Sequence, residues 1–322
     1  MLSAFFLFLV VFFTVGTVNY FAAKREQKAV NFFPPNGQIL DVNGVSVHAM
    51  QIGEGPDVVL IHGASGSIRD YTFVFANLLA EHYRVTIIDR PGLGWTDQIT
   101  DAQKKIWTIA HASPQEQARL LKSTADQMGV KRPIVVGHSF GGIVAMAWAL
   151  EFEDVAAVVS IAGVANPWPG DLGWFYKING TSWGGALVIP FITAFAPSFI
   201  VKKAIESIFA PQNAPTNYLA YVGPALTLRR GSMRANARQV NWLRPHVIEI
   251  SKKYGEICIP VEIIHGDADT IVPLRVHSIS LPDQIMGAKL TVLEGVGHMP
   301  HHTNPKDVIA AIDRAATRAG LL

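Results

Sequence analysis

The chain has 322 residues, of which 49% are hydrophobic and 16% are charged, so it contains enough apolar material for a large core. Its formal net charge of +2 is too small to indicate a nucleic-acid partner. The single cysteine, Cys258, excludes an intrachain disulfide and a thiol-based metal site.

The first 23 residues are almost wholly apolar, and no charged side chain lies between Leu2 and Ala23. About 20 apolar residues are needed for a helix to span a bilayer, which predicts a transmembrane anchor over residues 1–23. A cleaved secretion signal, followed by export, is the alternative. Against it, no Lys or Arg precedes the apolar run, and residues 21–23 form a poor cleavage site. Lys24, Arg25 and Lys28 follow at once, which favours a cytoplasmic position for the rest of the chain.

Residues 24–44 are predicted to be a connector, because Pro34-Pro35-Asn36-Gly37 marks a turn. Beyond it, β-rich runs alternate with helical patterns. The predicted strands are residues 45–52, 57–61, 85–89, 134–137, 155–162, 261–264 and 289–293, and the predicted helices are residues 71–81, 114–128, 141–151 and 307–318. Apolar strands separated by helices are typical of a mostly parallel sheet with both faces covered. We therefore expect a doubly wound α/β core over residues 45–163 and 259–322.

The alternation stops between residues 164 and 258, a stretch too long for a plain loop, so we expect an inserted helical cap. The cap has ten Lys and Arg against four Asp and Glu. Its aromatic residues are expected either to line an apolar pocket or to form the cap's own core: Trp168, Trp174, Phe175, Trp183, Phe191, Phe195 and Phe199. Its arginines are expected either to face anionic lipids beside the anchor or to lie on a solvated helix: Arg229, Arg230, Arg234 and Arg238.

The motif Gly137-His138-Ser139-Phe140-Gly141 directly follows a predicted buried strand and directly precedes a predicted helix. In that context G-x-S-x-G is a sharp turn that lifts a nucleophilic serine above the sheet. A helix N-terminus next to the hydroxyl favours developing negative charge. The pattern predicts Ser139 as a nucleophile.

A serine hydroxyl needs a base to take its proton. His298 follows the last predicted strand, in the place where such a base is expected. His301 and His302 lie close by, so a metal cluster is the competing interpretation, but a zinc site does not need a serine turn. We expect His301 and His302 to be polar residues on the rim of the site.

An acid must orient the histidine and stabilise its cation. Asp267 and Asp269 both follow the predicted strand 261–264, at the strand end where α/β enzymes assemble their sites. Their spacing does not choose between them.

The oxyanion of an acyl-transfer reaction needs backbone N–H donors. The amide of Phe140, directly after the serine, is one candidate. Gly63 follows another buried strand and would let the amide of Ala64 point inward as the second. Nucleotide binding is excluded for these glycines, because neither G-x-G-x-x-G nor a Walker lysine pattern is present.

Taken together, the sequence blocks resemble the successive signatures of the α/β-hydrolase superfamily over about residues 40–165 and 258–320. The blocks are His62-Gly63, residues 89–95, residues 137–142, residues 266–273 and Gly297-His298. The resemblance implies that Asp269, at the fourth place of G-x-x-D-x-x-V-P, is the acid, and that Asp89 and Arg90 are structural. The set is similar to the esterase, lipase, non-haem haloperoxidase and carbon–carbon hydrolase branches. Serine at position 139 argues against epoxide hydrolases and haloalkane dehalogenases, which use an aspartate there.

The expected activity is cleavage of a carboxylic ester, lipophilic or lipid in character, through Ser139, His298 and Asp269 with the Ala64 and Phe140 amides. This chemistry needs no metal or organic cofactor. The expected partners are a small-molecule or lipid ester and a membrane, and no nucleic acid. Three alternatives stay open: carbon–carbon bond hydrolysis, acyl transfer or perhydrolysis with the same triad, and a ligand-binding homologue with little turnover.

Overall fold

The structure, a computed structural model that describes residues 2–322, is built around an eight-stranded sheet. The strands are β1 Gln38–Val42, β2 Val45–Ile52, β3 Asp57–Ile61, β4 Arg84–Ile88, β5 Ile134–His138, β6 Ala157–Ile161, β7 Val261–Gly266 and β8 Lys289–Leu293. Their order across the sheet is β1-β2-β4-β3-β5-β6-β7-β8. Strands β3 to β8 run parallel to one another. At one edge of the sheet, β2 pairs antiparallel with β4, and β1 pairs antiparallel with β2. The predicted mostly parallel sheet is confirmed.

Helices cover both faces of this sheet and continue in the segment between β6 and β7. The helices are α1 Leu2–Phe32, α2 Ile68–Thr72, α3 Phe75–Leu79, α4 Asp101–Lys104, α5 Pro114–Gln127, α6 Phe140–Glu151, α7 Trp174–Asn179, α8 Ile189–Phe195, α9 Ser198–Phe209, α10 Tyr218–Val222, α11 Pro224–Thr227, α12 Arg230–Asn241, α13 Leu243–Ser251, α14 Leu274–His277, α15 Leu281–Gln284, α16 Pro300–Thr303 and α17 Pro305–Arg318. A π-helical turn spans Gly184–Val188, and a 3-10 turn spans Tyr254–Glu256. The helix predicted over residues 71–81 is two short helices, α2 and α3.

Two hydrophobic clusters sandwich the sheet. On one face α5 and α6 pack with residues such as Ile143 and Trp148, and on the other α2, α3 and α17 pack with residues such as Phe75 and Ile312. Every residue of β3, β5, β6 and β7 is buried, as expected for strands covered on both sides. Because β5, β7 and β8 run parallel, their carboxyl ends all lie at the same end of the sheet.

The chain between β6 and β7 forms the inserted helical cap, with helices α7 to α13. These described residues add no strand to the sheet. The cap lies over the carboxyl ends of the parallel strands. The beginning and the end of the cap segment are joined by a hydrogen bond from the Tyr254 hydroxyl to the carbonyl of Ala165. The cap boundaries at residues 164 and 258 stay a prediction.

The structure corrects the connector expected over residues 24–44. Helix α1 continues without a break to Phe32, and β1 begins at Gln38. The helix persists beyond the apolar segment because it packs against α8 of the cap, burying Ala22 and Ala29. Helix α1 is long and apolar enough to cross a bilayer, a property that a secretion signal shares.

Candidate active site

Ser139 occupies a sharp turn between β5 and α6. Its backbone has φ +54° and ψ −119°, a conformation that is costly for a residue with a side chain. A Cβ at position 137 would collide with the carbonyl of Gly141, and a Cβ at position 141 would collide with the carbonyl of Ile61. The two glycines of the motif therefore allow the close approach that holds the serine in this strained position.

Three of the predicted residues, which are far apart in the sequence, form one continuous hydrogen-bonded chain. Ser139 Oγ lies 2.9 Å from His298 Nε2, and His298 Nδ1 lies 2.7 Å from Asp269 Oδ2. All three residues are buried. With Nδ1–H donating to the carboxylate, Nε2 is free to accept the serine proton, which is the arrangement required of a general base.

The carboxylate of Asp269 lies in the loop after β7 and is fully committed to hydrogen bonds. Its Oδ1 accepts from the amides of Ile271 and Val272, at 2.8 and 2.9 Å. Burial alone would raise the pKa of Asp269, but the hydrogen bonds from His265 and His298 outweigh it and hold that pKa well below its usual range. The group is therefore an anion at any working pH.

Asp267, the other acid that sequence spacing allowed, points away from the site. It is exposed, and its Oδ1 accepts from the amide of Gly295 at 2.7 Å. This bond ties the loop after β7 to the loop that carries His298. The structure thus places Asp269, and not Asp267, next to the histidine.

His265, to which the sequence assigned no role, is a second histidine on the same carboxylate. Its Nε2 lies 2.7 Å from the carbonyl of Val272 and 3.1 Å from Asp269 Oδ2, so Nε2 carries a proton that it donates. Its Nδ1 accepts from Ser278 Oγ at 2.7 Å. The one available sequence signal was its place at the end of β7, four residues before Asp269.

The loop after β3 carries the second predicted amide, that of Ala64. Gly63 packs so closely on the serine that a Cβ at position 63 would lie 3.0 Å from the Cβ of Ser139. Among the described residues, neither the amide of Ala64 nor that of Phe140 donates to a protein group. Two N–H groups on the segments flanking the serine hydroxyl are thus available to a ligand oxygen.

Arg90 and Asp89 support this loop, in agreement with the structural role that the resemblance implies. The fully buried Arg90 donates from its backbone amide to His62 Nε2 at 2.9 Å and from Nη1 to the carbonyl of Gly63 at 2.9 Å. Its guanidinium also stacks 3.8 Å from the ring centre of Phe140. Asp89 accepts from the amide of Ile68 at 2.7 Å. One buried cation therefore fixes both segments that provide the free amides.

His138, which directly precedes the serine, holds the backbone of the histidine loop. Its Nε2 donates to the carbonyl of His298 at 2.9 Å. Burial, followed by the nearby His301 and His298, lowers the pKa of His138 well below its usual value, so it is neutral. The nucleophile turn and the base are therefore joined by a backbone contact as well as by their side chains.

His301 and His302, expected on the rim, lie instead in a buried network around Asp70. Asp70 accepts from His301 Nε2 at 3.1 Å, from His302 Nε2 at 2.8 Å and from the Tyr218 hydroxyl at 2.7 Å. Burial would raise the pKa of Asp70, but the two histidines hold it well below its usual range. Asp70, His138 and His301 bring potential ligand atoms within 4.8 Å of one another, so these three are the residues that could hold a metal ion. The hydrogen bonds already made by Asp70 favour a structural network.

The cap contacts the loops on both sides of the serine. Asn236 Oδ1 accepts from the amide of Ser65, at 2.7 Å, next to Ala64. Gln212 binds the histidine loop twice, donating to the carbonyl of Gly295 at 2.6 Å and accepting from the amide of Gly297 at 2.9 Å. The cap therefore positions the segments that the reaction would use, in addition to covering them.

The cap arginines are bound to protein groups and do not lie on a solvated helix, while the expected contact with anionic lipids stays a prediction. Arg230 forms two hydrogen bonds to the carboxylate of Glu26 in α1. Arg234 donates to the carbonyl of Gly185, and the buried Arg238 donates to backbone carbonyls of residues 103–106. Arg229 stacks 5.2 Å from the ring centre of Trp95. Arg230 joins the cap to α1, Arg229 and Arg238 join it to the core, and Arg234 links two segments within the cap.

Comparison with known proteins agrees with this architecture. A family model described as the alpha/beta hydrolase family matches residues 58–312. The chain belongs to the alpha/beta hydrolase family. It is 28% identical over 305 residues to an uncharacterized protein of Mycobacterium tuberculosis, covering 90% of this chain and 84% of that protein.

Two further proteins are similar to this chain. The chain is 24% identical to a 2-hydroxy-6-oxo-6-phenylhexa-2,4-dienoate hydrolase of Comamonas testosteroni, covering 80% of this chain and 86% of that enzyme. The crystal structure of an alpha/beta hydrolase fold protein from Burkholderia ambifaria is 25% identical and has a TM-score of 0.65, covering 86% of this chain and 99% of that one. Membership in this family supports a hydrolase activity. The similar proteins include a carbon–carbon bond hydrolase as well as a lipase and an esterase, so they do not define the bond that is cleaved.

Proposed function

We propose that this α/β-hydrolase cleaves carboxylic esters of lipophilic character through an acyl-enzyme on Ser139. The observation that carries the proposal is the relay from Ser139 Oγ through His298 to Asp269, with contacts of 2.9 and 2.7 Å. A serine activated in this way, with two unoccupied amides beside it, is the arrangement that acyl transfer requires.

In the acylation step, Ser139 Oγ bonds to the acyl carbon of the ester while His298 Nε2 takes the serine proton. The carbonyl oxygen becomes an anion that the amides of Ala64 and Phe140 bind. Asp269 stabilises the histidine cation that forms. Collapse of the tetrahedral intermediate breaks the bond to the alcohol oxygen, which takes the proton from His298 as it leaves.

In the deacylation step, water repeats the sequence. His298 takes one proton from the water, whose oxygen bonds to the acyl carbon, and the same two amides bind the oxyanion. The bond from the acyl carbon to Ser139 Oγ then breaks, and the proton returns to the serine. The products are a carboxylic acid and the free enzyme, with no metal or organic cofactor required.

We further propose that the enzyme works at a membrane with its catalytic domain on the cytoplasmic side. Helix α1 supports an uncleaved anchor, because its second half is part of the folded domain: Ala22 is buried and Glu26 is bound to Arg230. A signal sequence cleaved near residue 23 would remove the first of these contacts. An enzyme held at a bilayer meets lipophilic esters at high local concentration, which favours that substrate class.

Carbon–carbon bond hydrolysis is the second candidate function. It is favoured by the sequence match to the Comamonas testosteroni enzyme, whose name describes hydrolysis of a 2-hydroxy-6-oxo-dienoate. The same serine, histidine and aspartate would serve, with a carbon leaving group in place of an alkoxide. The two candidates differ in substrate and can be separated directly.

The test is a panel of p-nitrophenyl and glycerol esters with acyl chains of two to sixteen carbons, assayed with the full chain in detergent micelles. Burial of each additional CH₂ is worth about 0.8 kcal/mol, so kcat/KM for octanoate is expected to exceed that for acetate by at least about tenfold. A strict preference for acetate would contradict the lipophilic assignment. Faster consumption of a 2-hydroxy-6-oxo-dienoate than of any ester would favour the second candidate.

A further inference from the structure

Two apolar cap segments, which meet at a sharp bend, expose their largest side chains. The π-helical turn and α8 form one continuous helical stretch, Gly184–Phe195, and α9 follows at an angle of 102°. We call the exposed residues around this bend the apolar corner. They are Leu187 (57% exposed), Phe191 (59%), Phe195 (43%), Phe199 (60%) and Ile200 (52%).

Three of the seven cap aromatics, Phe191, Phe195 and Phe199, belong to the apolar corner and are exposed, so they are neither buried in a core of the cap nor enclosed in a pocket, the two roles expected from sequence. Leu187, Phe191 and Phe195 recur every four residues and so share one face of the helical stretch. The rings of Phe191 and Phe195 lie 5.1 Å apart, and both remain accessible. Exposed apolar residues gathered in one place mark a surface that another apolar phase covers.

The apolar corner lies directly beside α1. The ring of Phe195 lies 5.9 Å from that of Phe21, and Arg25 Nη2 donates to the carbonyl of Ala196 at 3.0 Å. Two residues before Phe21, Asn19 Oδ1 accepts from Arg230 Nη1 at 2.6 Å. Helix α1 is therefore docked on the cap from about Asn19 onward, and the apolar corner continues the surface of the anchor.

The uncharged part of α1 sets how far a bilayer can extend along this helix toward the catalytic domain. Residues 10–17 are all exposed, and α1 carries no charged side chain before Lys24. The hydrocarbon core of a bilayer is about 30 Å thick. The segment of α1 that can lie in hydrocarbon therefore reaches past Phe21, at whose level Phe195 lies.

We propose that the apolar corner enters the bilayer beside α1 and gives the catalytic domain a second attachment to the membrane. The occupant of this surface is the acyl region of a lipid leaflet. Lys202 and Lys203 follow on α9 and are exposed, and at the level just outside the hydrocarbon such cations would meet lipid phosphates. The inference rests on the membrane anchoring in the proposed function.

Two attachments would restrict rotation of the domain about the axis of α1. A single helix leaves a domain free to swivel, whereas a helix plus an adjacent inserted surface sets one orientation. The apolar corner belongs to the cap, and the cap binds the loops of His298 and Ala64 through Gln212 and Asn236. The cap would thus contact lipid and also bind the two loops that flank Ser139.

Spin-label accessibility in reconstituted vesicles tests this directly. The full chain with Cys258→Ser, to remove the exposed native thiol, receives one new cysteine at a time: Phe199→Cys in the apolar corner, Phe13→Cys in α1, and Met286→Cys as a control. Met286 is 80% exposed and lies on the α/β core, so all three labels replace exposed apolar side chains. An unchanged melting temperature of each labelled chain confirms its fold.

The inference predicts that the ratio of oxygen to nickel-chelate collisions is several-fold higher at positions 13 and 199 than at position 286. Lipid exposure at 13 with water exposure at 199 would overturn this inference and leave the anchor intact. Water exposure at both would overturn the membrane anchoring as well. Exclusion of both collision partners at 199, with spin–spin broadening, would show that a second copy covers the surface and would also overturn the inference.

Discussion

The ring of His265 lies against the carboxylate of Asp269, with Nε2 at 3.1 Å from Oδ2, the same oxygen that His298 contacts. Because Nε2 also donates to the carbonyl of Val272, the two acceptors share one proton. His265 thereby fixes the position of the acid and counts as a positioning residue, since it is one step removed from the serine.

Replacing His265 with phenylalanine is expected to lower kcat about tenfold with little change in KM. One lost hydrogen bond to a buried charged group costs about 1.5–3 kcal/mol, part of which the amides of Ile271 and Val272 retain. The steady-state rate with a soluble ester measures this. His265→Gln, which keeps a donor, should recover part of the loss, whereas a purely packing role would make the glutamine the worse of the two.

Replacing Asp269 with asparagine is expected to lower kcat by about 10³–10⁴-fold, because an amide neither stabilises the histidine cation nor holds its tautomer. Asp267→Asn is the matched control, since Asp267 is exposed and its side chain accepts a hydrogen bond from the amide of Gly295, away from His298. Its kcat should stay within about threefold of the parent, the effect of a surface change of roughly 0.5 kcal/mol. Equal losses in the two variants would contradict the assignment of the acid.

The ion pair between Glu26 of α1 and Arg230 of the cap should contribute measurably to stability. The pair is bidentate and both side chains are about four-fifths buried, so Glu26→Gln is expected to lower the melting temperature by about 2 °C, equivalent to roughly 1 kcal/mol. Thermal unfolding in detergent measures this. The exposed pair of Glu249 with Lys252 provides the control, and Glu249→Gln should leave the melting temperature unchanged.

Stability is expected to fall as the pH decreases from about 6.5 to about 4. Burial lowers the pKa of His62, His277 and His301 from 6.5 to about 4. In that window the unfolded chain binds protons that the folded chain excludes, so the folded state loses stability as the pH falls through it. The melting temperature measured every half pH unit tests the sign. His277→Asn should make the dependence shallower, and a melting temperature that rises over this window would contradict the buried neutral state.

Local sequence patterns predicted the sheet, the serine turn and the candidates Ser139 and His298, whereas only the family resemblance chose Asp269 over Asp267. They succeed because an apolar strand, a glycine pair and a following helix dictate geometry within a few residues. Strand β1 escaped prediction because it is a short and largely exposed edge strand, defined by its pairing with β2.

Many of the contacts that sequence reasoning missed join segments far apart in the chain, although the contact of His265 with Asp269 spans only four residues. The continuation of α1 depends on a cap helix about 200 residues later, through Glu26 and Arg230. The burial of His301 depends on Asp70, 231 positions away. Such partners leave no periodic trace, so one charged or polar residue looks the same in a sequence whether it is solvated or paired.

Covalent labelling of Ser139 tests the central claim most directly. A fluorophosphonate should add one adduct to the full chain, seen by intact mass spectrometry, and should add none to Ser139→Ala, whose turnover should fall by at least about 10⁴-fold. Ser207→Ala, which removes an exposed hydroxyl on α9, should label as the parent does. Normal labelling of the Ser139→Ala chain would show that another residue is the nucleophile and would contradict the relay of Ser139, His298 and Asp269.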